Sequence, residues 1–193
     1  MVVQGSMGNR SSNNPILFSV DAADGSIKLN LTLPTSIPPS QLAVAWGSGT
    51  AFVAGTSALQ AWDTTDGEME WSFPTGGSIS SAPAVSADSK TVFFGSADGH
   101  LYAVDAATGG AKWSFNTSAG VPGSPMLSPD GKTVYVGSLD TALYAFDTGT
   151  GTRQWSVPTG GGTWGSPAVS PDGAAVFVVS ADGAGYGAGS STR

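Results

Sequence analysis

The side chains that could do chemistry in this chain are few, and none has the partners that a reaction requires. His100 is the only histidine and cysteine is absent, so the sequence predicts neither a disulfide nor a histidine–thiolate metal site. The aspartates at 21–24 and 63–66 precede glycines, but they lack the alternating oxygen ligands and closing glutamate of a calcium loop. We therefore expect no catalytic residue, no metal site and no cofactor.

Three serines could be proposed as nucleophiles and the many glycines as a phosphate-binding loop, but the regular spacing of both residue types indicates a structural role. Ser86, Ser128 and Ser170 recur at one interval, each precedes a turn, and none has a base nearby in sequence. The glycines follow the same interval and do not form a phosphate-binding loop. Repetition of this kind indicates architecture, so we expect the chain not to be an enzyme.

Composition limits the partners of the protein. Charged residues make up 11% of the 193 residues, and the net charge is −7 with only seven basic side chains. No basic patch is available to neutralise phosphates, which argues against binding to nucleic acid or to an anionic membrane surface. No apolar stretch approaches the roughly 20 residues of a membrane-spanning helix. The 28 glycines and the scarcity of strong helix formers favour an all-β protein.

An internal repeat of 42 residues organises the chain. Trp71, Trp113 and Trp155 share this interval, and Leu29 stands at the preceding position. Two other residue types keep the same phase: Asp21, Asp63, Asp105 and Asp147, with Gly25, Gly67, Gly109 and Gly151. Several residue types in one phase indicate tandem copies of one structural unit.

Each unit predicts four short antiparallel strands, which is the pattern of a β-propeller blade. Its strands are separated by turn segments such as Pro129-Asp130-Gly131. The repeat predicts three full blades, at 42–73, 82–115 and 124–157. Partial blades are predicted before and after them, at 1–31 and 166–182. Residues 183–193 are predicted to form a disordered Gly/Ser-rich tail. The tail GAGYGAGSSTR lacks the side chains that usually favour a strand.

The recurring residues have local physical roles. The aspartate can accept hydrogen bonds from the backbone of the turn that follows it, and the glycine four residues later can adopt a positive φ. The tryptophan offers a large apolar face and one N–H donor. A single blade cannot bury both of its faces, so we expect each indole to dock against the adjacent blade.

The segments LYAVDAATGGAKWSF (101–115) and LYAFDTGTGTRQWSV (143–157) resemble the repeat named after pyrroloquinoline quinone (PQQ). The resemblance covers residues 15–182, approximately, and implies that the Asp, Gly and Trp of the pattern dock blades together without binding quinone. It assigns docking to Asp63, Gly67 and Trp71, to Asp105, Gly109 and Trp113, and to Asp147, Gly151 and Trp155. In the first copy, Asp21 and Gly25 are present but Leu29 replaces the tryptophan.

The resemblance also bears on how the ring is completed, because that family generally closes with seven or eight blades. Three full and two partial blades are too few, which favours a fragment of a larger propeller. The alternative is that two chains close one ring. In either case, open edges and apolar faces predict a tendency to self-associate.

Function is expected on the loops that join one blade to the next, at Pro74–Ser81, Asn116–Gly123 and Pro158–Gly165. None of these loops contains an ionisable residue, which removes general acid–base catalysis. Trp164 has two interpretations at this stage: a contact for a protein partner or ligand, or a side chain that fills the central channel or packs locally. We therefore expect a non-catalytic scaffold for protein–protein interaction. The alternative, implied by the resemblance, is a fragment of a quinone-dependent dehydrogenase that lacks its catalytic residues.

Overall fold

The computed structural model describes residues 2–6, 16–32, 42–44 and 49–189. These residues form eighteen β-strands and no helix. The strands belong to five separate antiparallel sheets, which follow one another along the chain. The all-β propeller fold predicted from the sequence is confirmed.

The first sheet and the last sheet each have three strands. The first pairs its strands in the order β1 (Val2–Ser6), β2 (Ile16–Val20), β3 (Ile27–Thr32). The last pairs its strands in the order β16 (Ala168–Val169), β17 (Ala175–Val179), β18 (Gly185–Gly189).

The three sheets between them have four strands, again paired in chain order. The second sheet contains β4 (Leu42–Val44), β5 (Thr50–Ala54), β6 (Ala58–Asp63) and β7 (Met69–Pro74). The third contains β8 (Ala84–Val85), β9 (Thr91–Gly95), β10 (His100–Asp105) and β11 (Ala111–Asn116). The fourth contains β12 (Met126–Leu127), β13 (Thr133–Ser138), β14 (Ala142–Asp147) and β15 (Arg153–Pro158).

The short opening strands lie along one side of the stack of sheets. Strand β4 lies against β8, and β12 lies against β16. The opening strands of neighbouring sheets therefore approach one another, while the closing strands β7, β11 and β15 lie at the opposite edge of each sheet. This is the radial arrangement of propeller blades, with the opening strands nearest the axis.

The hydrophobic core lies between sheets. Phe52 and Leu59 of the second sheet pack in one cluster with Val92 and Phe94 of the third. Equivalent clusters join the third sheet to the fourth and the fourth to the fifth. Second strands such as β5, whose five residues are all buried, have core on both faces because each middle sheet lies between two others.

The end of the chain differs from the prediction. The expectation of a disordered tail at 183–193 is wrong for residues 185–189, which form β18 and pair with β17 from Ala175↔Gly189 to Val179↔Gly185. Pairing uses backbone N–H and C=O groups, which glycine supplies as well as any residue. The hydroxyl of Tyr186 also accepts a 2.7 Å hydrogen bond from the N–H of Gly160, which ties the strand to the preceding loop. Residues 190–193 lie outside the described part of the chain.

Candidate functional site

The repeated tryptophans lie where one sheet meets the next. The indole N–H of Trp71, on β7, donates a 3.0 Å hydrogen bond to the carbonyl of Ala106 in the third sheet. The indole N–H of Trp113, on β11, donates a 3.0 Å hydrogen bond to the carbonyl of Thr148 in the fourth sheet. Each ring therefore satisfies its single donor at a backbone oxygen 35 residues further along the chain.

The Asp–Gly turns of the third and fourth sheets form the surfaces that receive the tryptophans of the sheets before them. A Cβ atom on Gly109 would lie 2.6 Å from Cδ2 of Trp71, and one on Gly151 would lie 2.6 Å from Cδ2 of Trp113. Both glycines have positive φ, 69° and 71°. Only glycine satisfies both requirements, the left-handed conformation and the close approach of a ring.

The aspartates hold these turns in shape. Asp147 Oδ1 accepts hydrogen bonds from the N–H and the hydroxyl of Thr150, at 2.8 and 2.9 Å, and from the N–H of Gly149. Hydrogen bonds from the Thr150 backbone and side chain hold the pKa of Asp147 below its usual value. Asp105 accepts hydrogen bonds from Ala107 and Thr108 in the same way. The carboxylates thereby fix the loop whose carbonyl binds the indole.

For the other residues of the Asp–Gly–Trp pattern, the structure describes the turns and ring contacts but no indole packed on a glycine of the next sheet. The turns after Asp21 and Asp63 are closed by N–H groups of Gly25 and Gly67 that bond to the aspartate carbonyls. Trp155 lies against Tyr135, with ring centroids 5.7 Å apart. By the repeat, its N–H acceptor would fall at position 190 and its glycine at position 193, where the sequence has Arg193; both positions lie outside the described residues.

The loops between sheets are held by threonine hydroxyl groups, of which those of Thr117 and Thr159 belong to buried residues. Thr75, Thr117 and Thr159 each donate a side-chain hydrogen bond to the carbonyl two residues later. Consecutive loops also meet at their ends, because the N–H of Ser124 donates a 2.9 Å hydrogen bond to Oγ of Ser166. Oγ of Ser80 likewise donates a 3.4 Å hydrogen bond to the carbonyl of Pro122, so hydrogen bonds join the three loops into one rim.

Trp164 is the most exposed tryptophan that the structure describes. Its side chain is 65% exposed, whereas Thr163 beside it is fully buried and donates a 3.0 Å hydrogen bond to the carbonyl of Ser138. The loop is therefore anchored on one residue and presents the next to solvent. Exposed aromatic side chains on rigid supports are frequent anchors of protein–protein interfaces.

His100 lies at the start of β10 and belongs to a structural cluster. Its Nδ1 is 3.3 Å from Oδ1 of Asp98, and its ring stacks on Tyr102 with centroids 5.5 Å apart. Asp98 also accepts hydrogen bonds from the Tyr102 hydroxyl and the N–H of Gly76. Among the described residues, no group of three or more His, Asp or Glu side chains could hold a metal ion. The cluster connects the β9–β10 turn to the preceding loop.

The sequence interpretation missed a repeated Asp–Tyr pair. The hydroxyls of Tyr102, Tyr144 and Tyr186 donate to Asp98, Asp140 and Asp182, at 2.9, 2.7 and 2.6 Å. Burial, with the hydrogen bond to the carboxylate, raises the pKa of Tyr102 and of Tyr144 to about 12. The shared 42-residue spacing of these residues was the available signal. The pairs brace the turn between the second and third strands of a sheet.

The recurrent serines also belong to turns. The hydroxyls of Ser86, Ser128 and Ser170 each donate a 2.6 Å hydrogen bond to an aspartate two residues later. The same oxygens accept N–H groups from the start of the next strand. Each hydroxyl is thus committed to closing a hairpin.

Fold and repeat together define a β-propeller built from PQQ-type repeats. A family profile described as outer membrane protein assembly factor BamB matches residues 13–129 and 116–191, and the chain belongs to that family. Among solved structures, it is similar to BamB from Moraxella catarrhalis, with a TM-score of 0.77 and 19% sequence identity. That alignment covers 100% of this chain and 58% of the Moraxella chain. No curated protein matches the sequence significantly. No helix among the described residues is long and apolar enough to cross a membrane.

Proposed function

We propose that the protein is a non-catalytic scaffold that binds a protein partner through the rim of loops between its sheets. The observation that carries this proposal is the 65% exposure of Trp164 on a loop that is anchored by a buried neighbour. A rigid support reduces the entropy that an aromatic anchor loses on binding.

The chemistry of the rim supports binding over catalysis. The three loops contain glycine, serine, threonine, apolar residues and one asparagine, Asn116, and no group that can transfer a proton near neutral pH. The partner should therefore present an uncharged surface to Trp164. Because the family is described as an outer membrane protein assembly factor, we propose another component of such an assembly apparatus as the partner.

We also propose a purely structural role for the Asp–Gly–Trp pattern. The Trp71 and Trp113 contacts with the following sheets support this role, as do the hydrogen bonds of Asp105 and Asp147 within their turns. By the same pattern, we extend the role to Trp155 and to the weaker copies of the repeat, with Asp21, Gly25, Asp63 and Gly67.

The five sheets are further proposed to belong to a larger ring of seven or eight blades. The longer Moraxella chain, of which this chain covers 58%, supports the proposal. Genomic sequence on both sides of the reading frame is the test, and further 42-residue repeats there are the expected result. Flanking sequence without such repeats would contradict it.

A fragment of a quinone-dependent dehydrogenase is the second candidate, and it has less support. The rim loops contain no carboxylate that could serve as a base or hold a cation beside a quinone. Titration of the protein with pyrroloquinoline quinone and calcium separates the two functions. Tight, saturable binding would favour the dehydrogenase.

The scaffold function is tested by measuring binding to purified components of a bacterial outer-membrane protein assembly apparatus. We expect Trp164→Ala to weaken the binding by roughly tenfold or more, as the loss of an aromatic anchor does. Met69→Ala is the matched control, because Met69 is also an exposed apolar residue but lies at the far edge of its sheet. Equal binding by the parent and Trp164→Ala would overturn the assignment of the anchor.

A further inference from the structure

The turn between the first two strands of the third sheet departs from the repeat at one position. Its residues 86–89 are Ser-Ala-Asp-Ser, whereas the fourth and fifth sheets have Ser-Pro-Asp-Gly at 128–131 and 170–173. In all three turns the first serine donates a 2.6 Å hydrogen bond to the aspartate, so the turns are closed in the same way. Ala87 therefore stands where the fourth sheet has Pro129.

The smaller side chain leaves a pocket beside the next turn. Between the fourth and fifth sheets, the ring of Pro129 lies against Gly173, where a Cβ atom would stand 3.3 Å from Cδ of the ring. Between the third and fourth sheets, a Cβ atom on Gly131 would meet nothing within 4 Å. A pocket of about 330 Å³ occupies this junction, lined by residues that include Ala87, Gly131 and Phe93. This volume is at the lower end of the range for ligand sites.

Two carboxylates line the same pocket, one from each turn. Asp88 and Asp130 use Oδ1 to accept the serine hydroxyls of their own turns. Neither carboxylate forms an ion pair with a residue that the structure describes. Lys90 and Lys132 follow the two turns but are not among the described residues that line the pocket. The pocket therefore combines a space next to a glycine with a negatively charged wall.

We propose that this pocket binds an extended segment of a partner protein, with a proline ring beside Gly131 and a neighbouring basic side chain on Asp88 and Asp130. The repeat itself indicates the ring, because Pro129 fills the equivalent space one junction later. The two carboxylates favour a cationic neighbour by charge complementarity. A proline also has little backbone freedom to lose, which lowers the entropic cost of docking.

The pocket is separate from the rim that carries Trp164. Strand β9 begins at Thr91, which lines the pocket, and ends before Ser96, whose carbonyl accepts a hydrogen bond from the rim loop. The two surfaces therefore lie at opposite ends of the strands. Both sheets that form the pocket have all four strands in this chain, so further blades would not cover it. Trp164→Ala should leave binding at the pocket unchanged, so either proposal can fail alone.

Titration of the 193-residue chain with a capped Gly-Pro-Arg-Gly peptide, followed by nuclear magnetic resonance, tests the proposal. We expect saturable shifts of the Gly131 and Gly149 amide signals, because both residues line the pocket. Replacing the proline of the peptide with alanine should weaken binding roughly tenfold, as the loss of apolar contact in a fitted pocket does. Replacing its arginine with glutamine should weaken binding and remove most of its dependence on salt.

Ala87→Pro tests the pocket itself. This substitution restores the proline of the other turns, changes no charge and fills the space beside Gly131, so peptide binding should fall roughly tenfold or more. Asp130→Asn should weaken binding and reduce its dependence on salt. Asp172→Asn is the matched control, because Asp172 lies in the equivalent turn of the fifth sheet and does not line the pocket.

Circular dichroism establishes that the variants are folded. The absence of saturable shifts at Gly131 in the parent would overturn the proposal. Equal peptide binding by the parent and Ala87→Pro would overturn it as well, as would equal binding of the proline and alanine peptides.

Discussion

The indole of Trp71 lies directly on Gly109 of the following sheet, so closely that a Cβ atom at position 109 would stand 2.6 Å from Cδ2 of the ring. The contact is repeated one unit later between Trp113 and Gly151. Each tryptophan also donates its N–H to a carbonyl within the turn that carries the glycine. Large apolar area and one directed hydrogen bond therefore act at the same junction.

Substitution of Gly109 by alanine tests how closely the ring and turn are packed. We expect a loss of about 2–4 kcal/mol in the free energy of unfolding, from left-handed strain and overpacking together. Gly131→Ala is the matched control, because Gly131 has φ 72° but its Cβ would meet nothing within 4 Å. That variant should lose only about 1–2 kcal/mol.

A double variant separates the two causes at Gly109. In a Trp71→Ala background the ring is absent, so Gly109→Ala should cost no more than Gly131→Ala costs in the parent. Chemical denaturation of the parent, the two single variants and the double variant gives the coupling free energy between positions 71 and 109. Identical costs of Gly109→Ala with and without the indole would show that the ring does not press on the turn.

The turn carboxylates should make stability depend on acidic pH. The pKa of Asp147 is lowered in the folded state by hydrogen bonds from Thr150, so its stabilising effect is present above the usual carboxyl pKa of about 4 and is lost as pH falls through the folded value. We expect Asp147→Ala to lose about 1 kcal/mol near pH 7, a typical value for a hydrogen bond. Urea unfolding near pH 7 and near pH 2.5 measures the effect.

Asp147→Asn is the control for this prediction, because the amide keeps an oxygen acceptor and does not titrate. On acidification it should lose less stability than the parent. If both proteins lose stability equally, the Asp147 carboxylate is not the titrating group.

The tyrosines paired with aspartates should ionise at a higher pH than free tyrosine, and their ionisation should lower the stability of the fold at alkaline pH. Burial and the hydrogen bond to the carboxylate raise the pKa of Tyr102 and Tyr144 to about 12. The folded pKa of these tyrosines lies above the usual value of about 10. Their contribution to the free energy of unfolding is therefore fully present below pH 10 and is lost as the pH rises toward 12. Near-ultraviolet titration of tyrosinate should show a step near pH 12 that shrinks in Tyr102→Phe and in Tyr144→Phe. Native protein in which all four tyrosines titrate near pH 10 would contradict the pairing.

The 42-residue interval was sufficient to predict the repeated sheets, because strand and turn residues recur with it. Trp71 and Trp113 could be placed on closing strands for the same reason. Their hydrogen-bond acceptors could not be predicted, since the carbonyls of Ala106 and Thr148 are backbone groups that exist at every residue. Only the stacking of sheets decides which carbonyl faces the ring.

Two other features show where composition misleads. Gly185, Gly187 and Gly189 suggested the absence of a strand, but antiparallel pairing with β17 needs only backbone groups. The pairs Asp98–Tyr102 and Asp140–Tyr144 were overlooked because an aspartate beside a turn is common for the sake of the turn alone. A side chain that closes a turn can also accept a hydrogen bond from the following strand.

The free energy of unfolding of Trp113→Ala, from chemical denaturation, tests most directly whether the repeated indole holds neighbouring sheets together. A loss of about 3–5 kcal/mol is expected, the usual cost of removing a large aromatic from a packed site. The exposed Trp164 provides the comparison, and Trp164→Ala should stay within about 0.5 kcal/mol of the parent. A Trp113→Ala protein as stable as Trp164→Ala would contradict the role of the indole in joining the sheets.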